Sequence, residues 1–127
     1  MAFEVSTDAA VEVVDITDQV SAILPTEHTG TCTVFVPHTT AGVTINEPES
    51  GLLTDIERLF RSLDPEDDDY THDRIDDNAT AHLRSILLGS DVTVPVTDGR
   101  LDLGTWQSIL LVEGDGPRQR RVRVEPS

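Results

Sequence analysis

Reactive side chains punctuate an otherwise apolar segment, Val34 to Glu47, which reads VFVPHTTAGVTINE. His38 and two threonines follow a predicted strand, and Asn46 and Glu47 end the next apolar stretch. An imidazole, a carboxamide and a carboxylate held close together can bind a metal, relay a proton or satisfy one another's hydrogen bonds. The plain alternative is that Glu47 only leaves the core as the chain turns at Pro48.

A tight hairpin is the element that we expect to bring these groups together. Apolar alternation predicts a strand over Thr31–Val36, and Pro37 ends it because proline cannot donate to a sheet ladder. Ala41 and Gly42 then supply the turn, and a second strand runs to Glu47. His38 and Glu47 would meet across this strand-turn-strand unit.

Two further histidines could serve the same chemistry. His72 interrupts an acidic loop, where a histidine is usually just exposed. His82 lies in a helix predicted over Asp76–Leu88, and the alternative for it is a core histidine bonded to backbone. Asn78, four residues earlier, is placed to orient the His82 ring. The inward stripe of this helix is predicted to hold Ile75, Ala79, His82, Leu83 and Ile86.

Polar residues near the end of the chain are further candidates. A strand predicted over Gly104–Val112 places Trp106 and Gln107 on opposite faces, both of which look buried. Gln107 is therefore either a structural bracket or a ligand contact, and Trp106 is either core or site. Arg118 follows a glycine-rich turn, where it could clamp an anion or pair with nearby carboxylates.

The remaining elements predict an α+β fold in which antiparallel sheets pack with about three helices, in a single domain over residues 1–127. We expect Phe3–Ser6 and Val11–Val14 to form an opening hairpin. Helices are predicted after Asp15, over Ile16–Leu24, and over Glu49–Leu63. A further strand, Val92–Val96, precedes an Asp98-Gly99 turn and a returning strand.

The charge of the chain excludes some partners. The formal net charge is −15, from 24 acidic residues against 9 basic ones, and no lysine occurs. Such a surface should repel nucleic acid and anionic membranes. Acidic excess also keeps a protein hydrated in concentrated salt, where screening removes most of the self-repulsion. We therefore hypothesise a salt-adapted, halophilic protein.

The compartment is suggested by what the sequence lacks. Cys32 is the only cysteine, so an intrachain disulfide is excluded and a buried, inert thiol is expected. The N-terminal residues hold no basic region followed by an apolar run, and the longest apolar stretch, Ile109–Val112, is too short to span a bilayer. We expect a cytoplasmic protein.

Taken together, five ordered motifs resemble the YjbQ-like family, whose members are often labelled secondary thiamine-phosphate synthase. The motifs are VPHTTAGVTINE, YTHD, DDNATAHL, SILLGSDVTVPVTDGRLDLGTWQ and DGPRQRRVRV. They extend from about Asp15 through Val124. The resemblance implies an α+β fold and a homotrimer whose clefts lie between subunits.

The resemblance also implies a site. The family's functional histidines correspond to His38, His72 and His82, and three neutral imidazoles can hold a divalent metal such as zinc with water as the fourth ligand. Glu47 would then be a general base or a partner of a metal ligand, with His38 and His82 as catalytic residues. Substrate-binding candidates, from both lines of argument, are Thr39, Thr40, Asn46, Asn78, Trp106, Gln107 and Arg118.

The implied activity is a transferase reaction that couples a pyrimidine pyrophosphate to a thiazole phosphate, helped by a divalent cation and by arginine. The chain has neither a P-loop nor a lysine, so phosphate recognition falls to Arg118, main-chain N–H groups and metal. The alternative is a non-catalytic module that binds a metal or a small anion and has only weak side activity.

Overall fold

A computed structural model of the chain describes residues 1–63, 70–71 and 78–127. Within these ranges the chain forms strands and helices in the order β1 (Ala2–Ser6), β2 (Glu12–Asp15), α1 (Thr17–Ile23), β3 (Gly30–Phe35), β4 (Ala41–Asn46), α2 (Ser50–Leu63), α3 (Ala79–Leu88), β5 (Asp91–Thr97), β6 (Arg100–Leu101), β7 (Ser108–Glu113) and β8 (Gln119–Pro126). The predicted α+β class is confirmed. The predicted acidic loop and His72 lie outside the described residues.

The strands form two antiparallel sheets. The five-stranded sheet has the order β1-β8-β3-β5-β6, and the three-stranded sheet has the order β2-β7-β4. β8, the last strand, therefore lies between β1 and β3. β7 similarly separates β2 from β4. Long-range pairing of late strands with early ones organises both sheets.

Both hairpins predicted in the first half of the chain are wrong. β1 pairs with β8 and β2 pairs with β7, so the opening strands belong to different sheets. β3 and β4 are likewise divided between the sheets, and Ala41 and Gly42 begin β4 instead of forming a turn. Alternation assigns the buried face of a strand but not its partner, and from β1 to β4 strands that are neighbours along the chain are not neighbours in a sheet.

The core lies between the two sheets and under α1. Valines of alternate positions in β3 and β8, including Val34, Val122 and Val124, are fully buried there. β7 is buried on both faces: Ile109 and Leu111 face this core, while Leu110 and Val112 join Val13 in a second cluster. A strand buried on both faces reads as a continuous apolar run, which is what the segment SILLVE shows.

α2 covers the outer face of the three-stranded sheet, as its apolar stripe predicts. Leu53, Ile56 and Phe60 pack against the second cluster. The carboxylate of Glu57 accepts the backbone N–H of Val13 at 2.9 Å, which satisfies an amide of the edge strand β2.

α3 faces the sheet with a side that only partly matches the predicted one: Ala79 is buried as predicted. Ala81 and Arg84 are buried, whereas Leu83, Ile86 and Leu87 are 40%, 74% and 67% exposed. The apolar stripe alone did not reveal this, because a small and a basic residue are buried together with the half-buried Leu88, which packs against the second cluster. Gly42 allows the approach: a Cβ there would lie 2.5 Å from the carbonyl oxygen of Gly89.

The segment before β7 also differs from its prediction. Trp106 is 72% exposed and Gln107 is exposed, because β7 starts only at Ser108. The Gln107 side chain accepts the N–H of Gly104 at 2.8 Å, so it brackets the turn. The β5–β6 hairpin is confirmed, with Asp98 and Gly99 at φ 49° and 74°, as a two-residue turn of this type requires.

Two further observations concern the thiol of Cys32 and the length of the helices. Cys32 is fully buried, and burial raises the pKa of its thiol, as expected of an inert cysteine. Among the described residues, none of the helices has both the length and the apolar character needed to cross a membrane.

Candidate functional site

An open cleft of about 370 Å³ lies where the middle and C-terminal end of α3 approach the segment between β3 and β4. The residues that line it are His38, Thr39, His82, Ser85, Ile86, Gly89 and Ser90. Two of the three histidines named by the resemblance thus face one cleft. On the other side of His82 lies a second depression of about 370 Å³, lined by Tyr70, Thr71, Ala79 and Leu83.

His38 is fixed by a gap in the sheet. β3 ends with Phe35 opposite Arg123, and Pro37 carries the chain away from β8 before it can pair with Arg121. The backbone N–H of Arg121 would then lack a partner. The Nε2 atom of His38 accepts it at 2.9 Å, so the imidazole takes the place of the missing strand residue.

α3 is tied to the His38 segment through Ser85. The hydroxyl of Ser85 lies 2.6 Å from the carbonyl oxygen of Thr39 and 2.8 Å from that of His82. One hydroxyl proton serves these two acceptors, so both walls of the cleft meet at this side chain. His82 is half-buried, and its backbone N–H donates to the carbonyl oxygen of Asn78 at 3.2 Å.

A buried ion pair contacts the segment that carries His38. Glu113 is fully buried and Arg120 is 3% exposed. The two side chains meet through a pair of hydrogen bonds, one of them 2.8 Å from Nε to Oε1. Arg120 also donates to the hydroxyl of Thr40 at 2.8 Å, and Thr7 donates to Glu113 at 2.8 Å. All of these buried polar groups therefore have partners.

The electrostatics of the site favour the neutral form of the His38 imidazole, which interacts with the charged Glu113–Arg120 pair. Burial lowers the pKa of His38, and the Arg120 guanidinium lowers it further, against weaker contributions from Glu113 and Glu4. Burial raises the pKa of Glu113. Hydrogen bonds from Arg120, the Asp115 N–H and Thr7 outweigh that effect and hold the pKa below its ordinary value.

Asn78 and Arg118 both contact Asp115. The amide of Asn78 donates to Oδ2 of Asp115 at 3.0 Å, which docks the start of α3 on the loop before β8. Arg118 forms an ion pair with the same carboxylate at 2.8 Å, and its Nε donates to the Asp115 carbonyl at 2.8 Å. Neither residue lines the cleft that contains His38. Of the two alternatives for Arg118, these contacts match pairing with a carboxylate.

The other candidates lie at the opposite end of the three-stranded sheet. Ala41 pairs with Glu113 beside the cleft, whereas Asn46 pairs with Ser108 at the far end. β4 has six residues, so it separates the two ends by about 20 Å at roughly 3.3 Å per residue. Glu47, Asn46, Trp106 and Gln107 thus form a second group, away from His38 within one chain.

A metal was expected on His38, His72 and His82. His72 lies outside the described residues, and over residues 1–63, 70–71 and 78–127 no three of His, Cys, Asp or Glu are placed to hold a metal ion. Nε2 of His38 already faces an N–H donor, so this ring does not fit as an Nε2 ligand. The three-histidine set remains a prediction.

Sequence reasoning missed Glu113, Arg120, Thr7 and Ser85 as parts of this site. Two signals were present. Glu113 continues a strand whose preceding residues are all apolar, and Arg120 shares the parity of Val122 and Val124, the inward positions of β8. A carboxylate and a guanidinium that both occupy core positions are expected to pair.

Comparisons with known proteins agree with the fold. The family model for UPF0047 protein YjbQ-like matches residues 1–126. A UPF0047 protein from Archaeoglobus fulgidus is 50% identical over 125 residues, which cover 98% of each chain. A UPF0047 protein from Methanothermobacter thermautotrophicus is 50% identical over 93% of this chain and 84% of its own length.

Solved structures give the same result. A hypothetical protein from Aeropyrum pernix K1 superposes with a TM-score of 0.95 at 41% identity, covering 100% of this chain and 96% of the other. A YbjQ-like protein of unknown function from Sulfolobus solfataricus P2 has a TM-score of 0.91 at 42% identity, covering 98% and 92%. The chain belongs to the UPF0047 family of YjbQ-like proteins.

Proposed function

We propose that the cleft between His38 and His82 binds a small phosphorylated metabolite, and that the protein is a transferase of the thiamine-phosphate synthase kind. One observation carries the proposal: two imidazoles and the hydroxyl groups of Ser85 and Ser90 face a single open cleft. Its volume of about 370 Å³ falls within the range of small-molecule sites, roughly 300–1,000 Å³.

The rigidity of the cleft supports a role in positioning a ligand. His38 is fixed by the Arg121 N–H, Thr40 by Arg120, and Ser85 by the carbonyl oxygens of both walls. Side chains whose positions are already set lose little conformational entropy when a ligand binds. The buried Glu113–Arg120 pair supplies the support beneath them.

The reaction implied by the family resemblance replaces one bond by another. A carbon–nitrogen bond forms between the pyrimidine methylene carbon and the thiazole ring nitrogen, while the carbon–oxygen bond to pyrophosphate breaks. The bonding electrons leave with pyrophosphate, so negative charge grows on the oxygen atom that was bonded to the methylene carbon. Hydrogen-bond donors near that oxygen lower the barrier. The proposal uses no metal ligation through Nε2 of His38, because that atom already accepts the Arg121 N–H.

A homotrimer is the second part of the proposal. Leu83, Ile86 and Leu87 form an exposed apolar face on α3, and Ile86 also lines the cleft. Apolar residues grouped in this way on a surface helix favour contact with another chain. We propose that further copies of this chain cover the face, so that the clefts lie between subunits and Glu47 of one copy approaches His38 of another.

The test is a coupling assay with a pyrimidine pyrophosphate and a thiazole phosphate, in which released pyrophosphate is measured. His38→Gln and His82→Gln should each lower turnover by about 100-fold or more, the usual effect of removing a hydrogen-bond donor that stabilises developing negative charge. His28→Gln is the matched control, because His28 lies outside the cleft and its ring nitrogen Nε2 lies 2.8 Å from the Thr31 carbonyl oxygen. Turnover that survives both cleft substitutions would contradict the proposal.

The same experiment separates the enzyme from a binding module. Isothermal titration with pyrophosphate measures binding without chemistry. Binding that His38→Gln weakens, with no turnover by the unmodified protein, would favour the non-catalytic module. Absence of both pyrophosphate binding and turnover would contradict the proposal that this cleft binds the ligand.

A further inference from the structure

The proton on the His38 ring can be located from its hydrogen bond. In β8 the N–H of Val124 donates to the carbonyl oxygen of Met1, which directly precedes β1, so the N–H groups of Arg121 and Arg123, at alternate positions, point toward β3. The Arg121 N–H meets Nε2 of His38 at 2.9 Å. A backbone N–H can only donate, so Nε2 must present a lone pair.

A neutral imidazole carries one N–H group and one lone pair. With the lone pair on Nε2, the proton is on Nδ1. Rotating the ring by half a turn would place a carbon atom against the Arg121 N–H, so the geometry selects one orientation. Over the described residues Nδ1 has no acceptor, and the ring lines the cleft.

We propose that His38 acts in the cleft as a neutral hydrogen-bond donor through Nδ1–H, and that it contacts an anionic oxygen of the ligand instead of a metal ion. The proposal rests on the cleft being the binding site, as proposed above. A phosphate oxygen is an anionic acceptor of this kind, and Ser90 lines the same cleft.

Metal binding would conflict with the same hydrogen bond. A metal on Nδ1 needs a lone pair there, which moves the proton to Nε2 and opposes it to the Arg121 N–H. A metal on Nε2 displaces that N–H outright. In either case the backbone N–H of Arg121 loses the acceptor that the His38 ring gives it.

Two substitutions separate the donor role of the His38 ring from its acceptor role. Gln places a carbonyl oxygen near the position of Nε2, so His38→Gln keeps an acceptor for Arg121 and loses the Nδ1 donor. Asn places an amide nitrogen near the position of Nδ1, so His38→Asn keeps the donor and loses the acceptor. If Nδ1–H is the binding group, His38→Gln should weaken binding of inorganic phosphate by about tenfold or more, and His38→Asn by less. Equal loss in both variants would overturn the donor role.

The tautomer itself is measured by ¹⁵N NMR of histidine-labelled protein, with His38 assigned from the spectrum of His38→Gln. We expect a protonated Nδ1 and an unprotonated Nε2 at pH 7.5, a shift of the Nδ1 signal on adding phosphate, and no change of the His38 ring signals on adding zinc chloride. An Nε2–H tautomer, or His38 signals moved by zinc, would overturn the inference. This readout does not depend on turnover, so it separates failure of the inference from failure of the proposed transferase activity.

Discussion

Glu113 and Arg120 form a buried ion pair that joins the three-stranded sheet to the five-stranded sheet next to the His38 segment. Glu113 stands opposite Ala41 in the ladder of β7 and β4, and Arg120 donates to Thr40, the residue before Ala41. The pair therefore sets the start of β4 and, through it, the segment that carries His38 and Thr39.

Removing one partner of this pair should be costly. Arg120→Met leaves a buried carboxylate without its main donor, so we expect a loss of about 3–5 kcal/mol in the free energy of unfolding. Arg123→Met is the control on the same strand: its ion pair with Glu125 is about half exposed, and an exposed pair contributes little to stability. Denaturant unfolding measures both. Equal losses in the two variants would contradict the buried role of Arg120.

Acidification should destabilise the fold through His38. Because the pKa of His38 is lowered in the folded state, the unfolded chain binds the proton more readily. The stability that depends on a neutral ring is present above the ordinary histidine pKa of about 6.5 and is lost as the pH falls below it. His38→Gln cannot take up a proton. Its stability should change less than that of the unmodified protein between pH 7.5 and pH 5, measured by denaturant unfolding.

Glu113 should produce a second, more acidic loss of stability. Its lowered pKa means that its contribution is present above the ordinary carboxyl pKa and disappears as the pH falls through the folded value. Glu113→Gln removes this titration, so the variant should be less stable at pH 7 but lose less stability below pH 4.5. Parallel pH profiles for the variant and the unmodified protein would argue against it.

Salt should stabilise the protein. A net charge of −15 on 127 residues creates self-repulsion that salt screens, with a Debye length of about 10 Å at 0.1 M and about 3 Å at 1 M. The thermal midpoint should therefore rise between 0.1 M and 2 M potassium chloride. A variant with Asp18, Glu27 and Asp55, all exposed, replaced by Asn or Gln should show a smaller rise. Salt-independent midpoints would contradict the proposed salt adaptation.

The exposed face of α3 should control assembly. Ile86→Glu places a charge where we propose that another copy packs, so the molar mass measured by light scattering should fall toward that of one chain, 13.9 kDa. Thr54→Glu adds the same charge at an exposed position of α2 and should leave the mass unchanged. A protein that is monomeric without substitution would refute the trimer.

Mixed oligomers can test whether the cleft is shared. Glu47→Gln and His38→Gln chains, each with low turnover alone, should regain activity after they are unfolded together and refolded, because some clefts then combine intact Glu47 and His38. Mixing His38→Gln with His82→Gln is the control, since both residues line one cleft of the same chain and no repair is expected. Recovery of turnover in the control mixture alone would contradict a cleft that is shared between subunits.

Local sequence patterns were sufficient to predict the strands, the helices and the family. Apolar alternation and helical spacing located the strands and helices to within a few residues, because these periods follow from local backbone geometry. The ordered motifs were enough to recognise a YjbQ-like protein. The Asp98-Gly99 turn was also predictable, since two successive positive φ angles restrict the residues that can occupy it.

The tertiary structure alone decided which residues share a site. His38 and Glu47 are close in sequence but lie at opposite ends of β4, because β3 and β4 join different sheets. Glu113 and Arg120 meet because β7 and β8 face each other across the core. His38 owes its ring orientation to an amide that β3 leaves uncovered. The contact between His38 and Arg121, which are 83 residues apart, depends on strand pairing over a long sequence separation, which local periodicity does not encode.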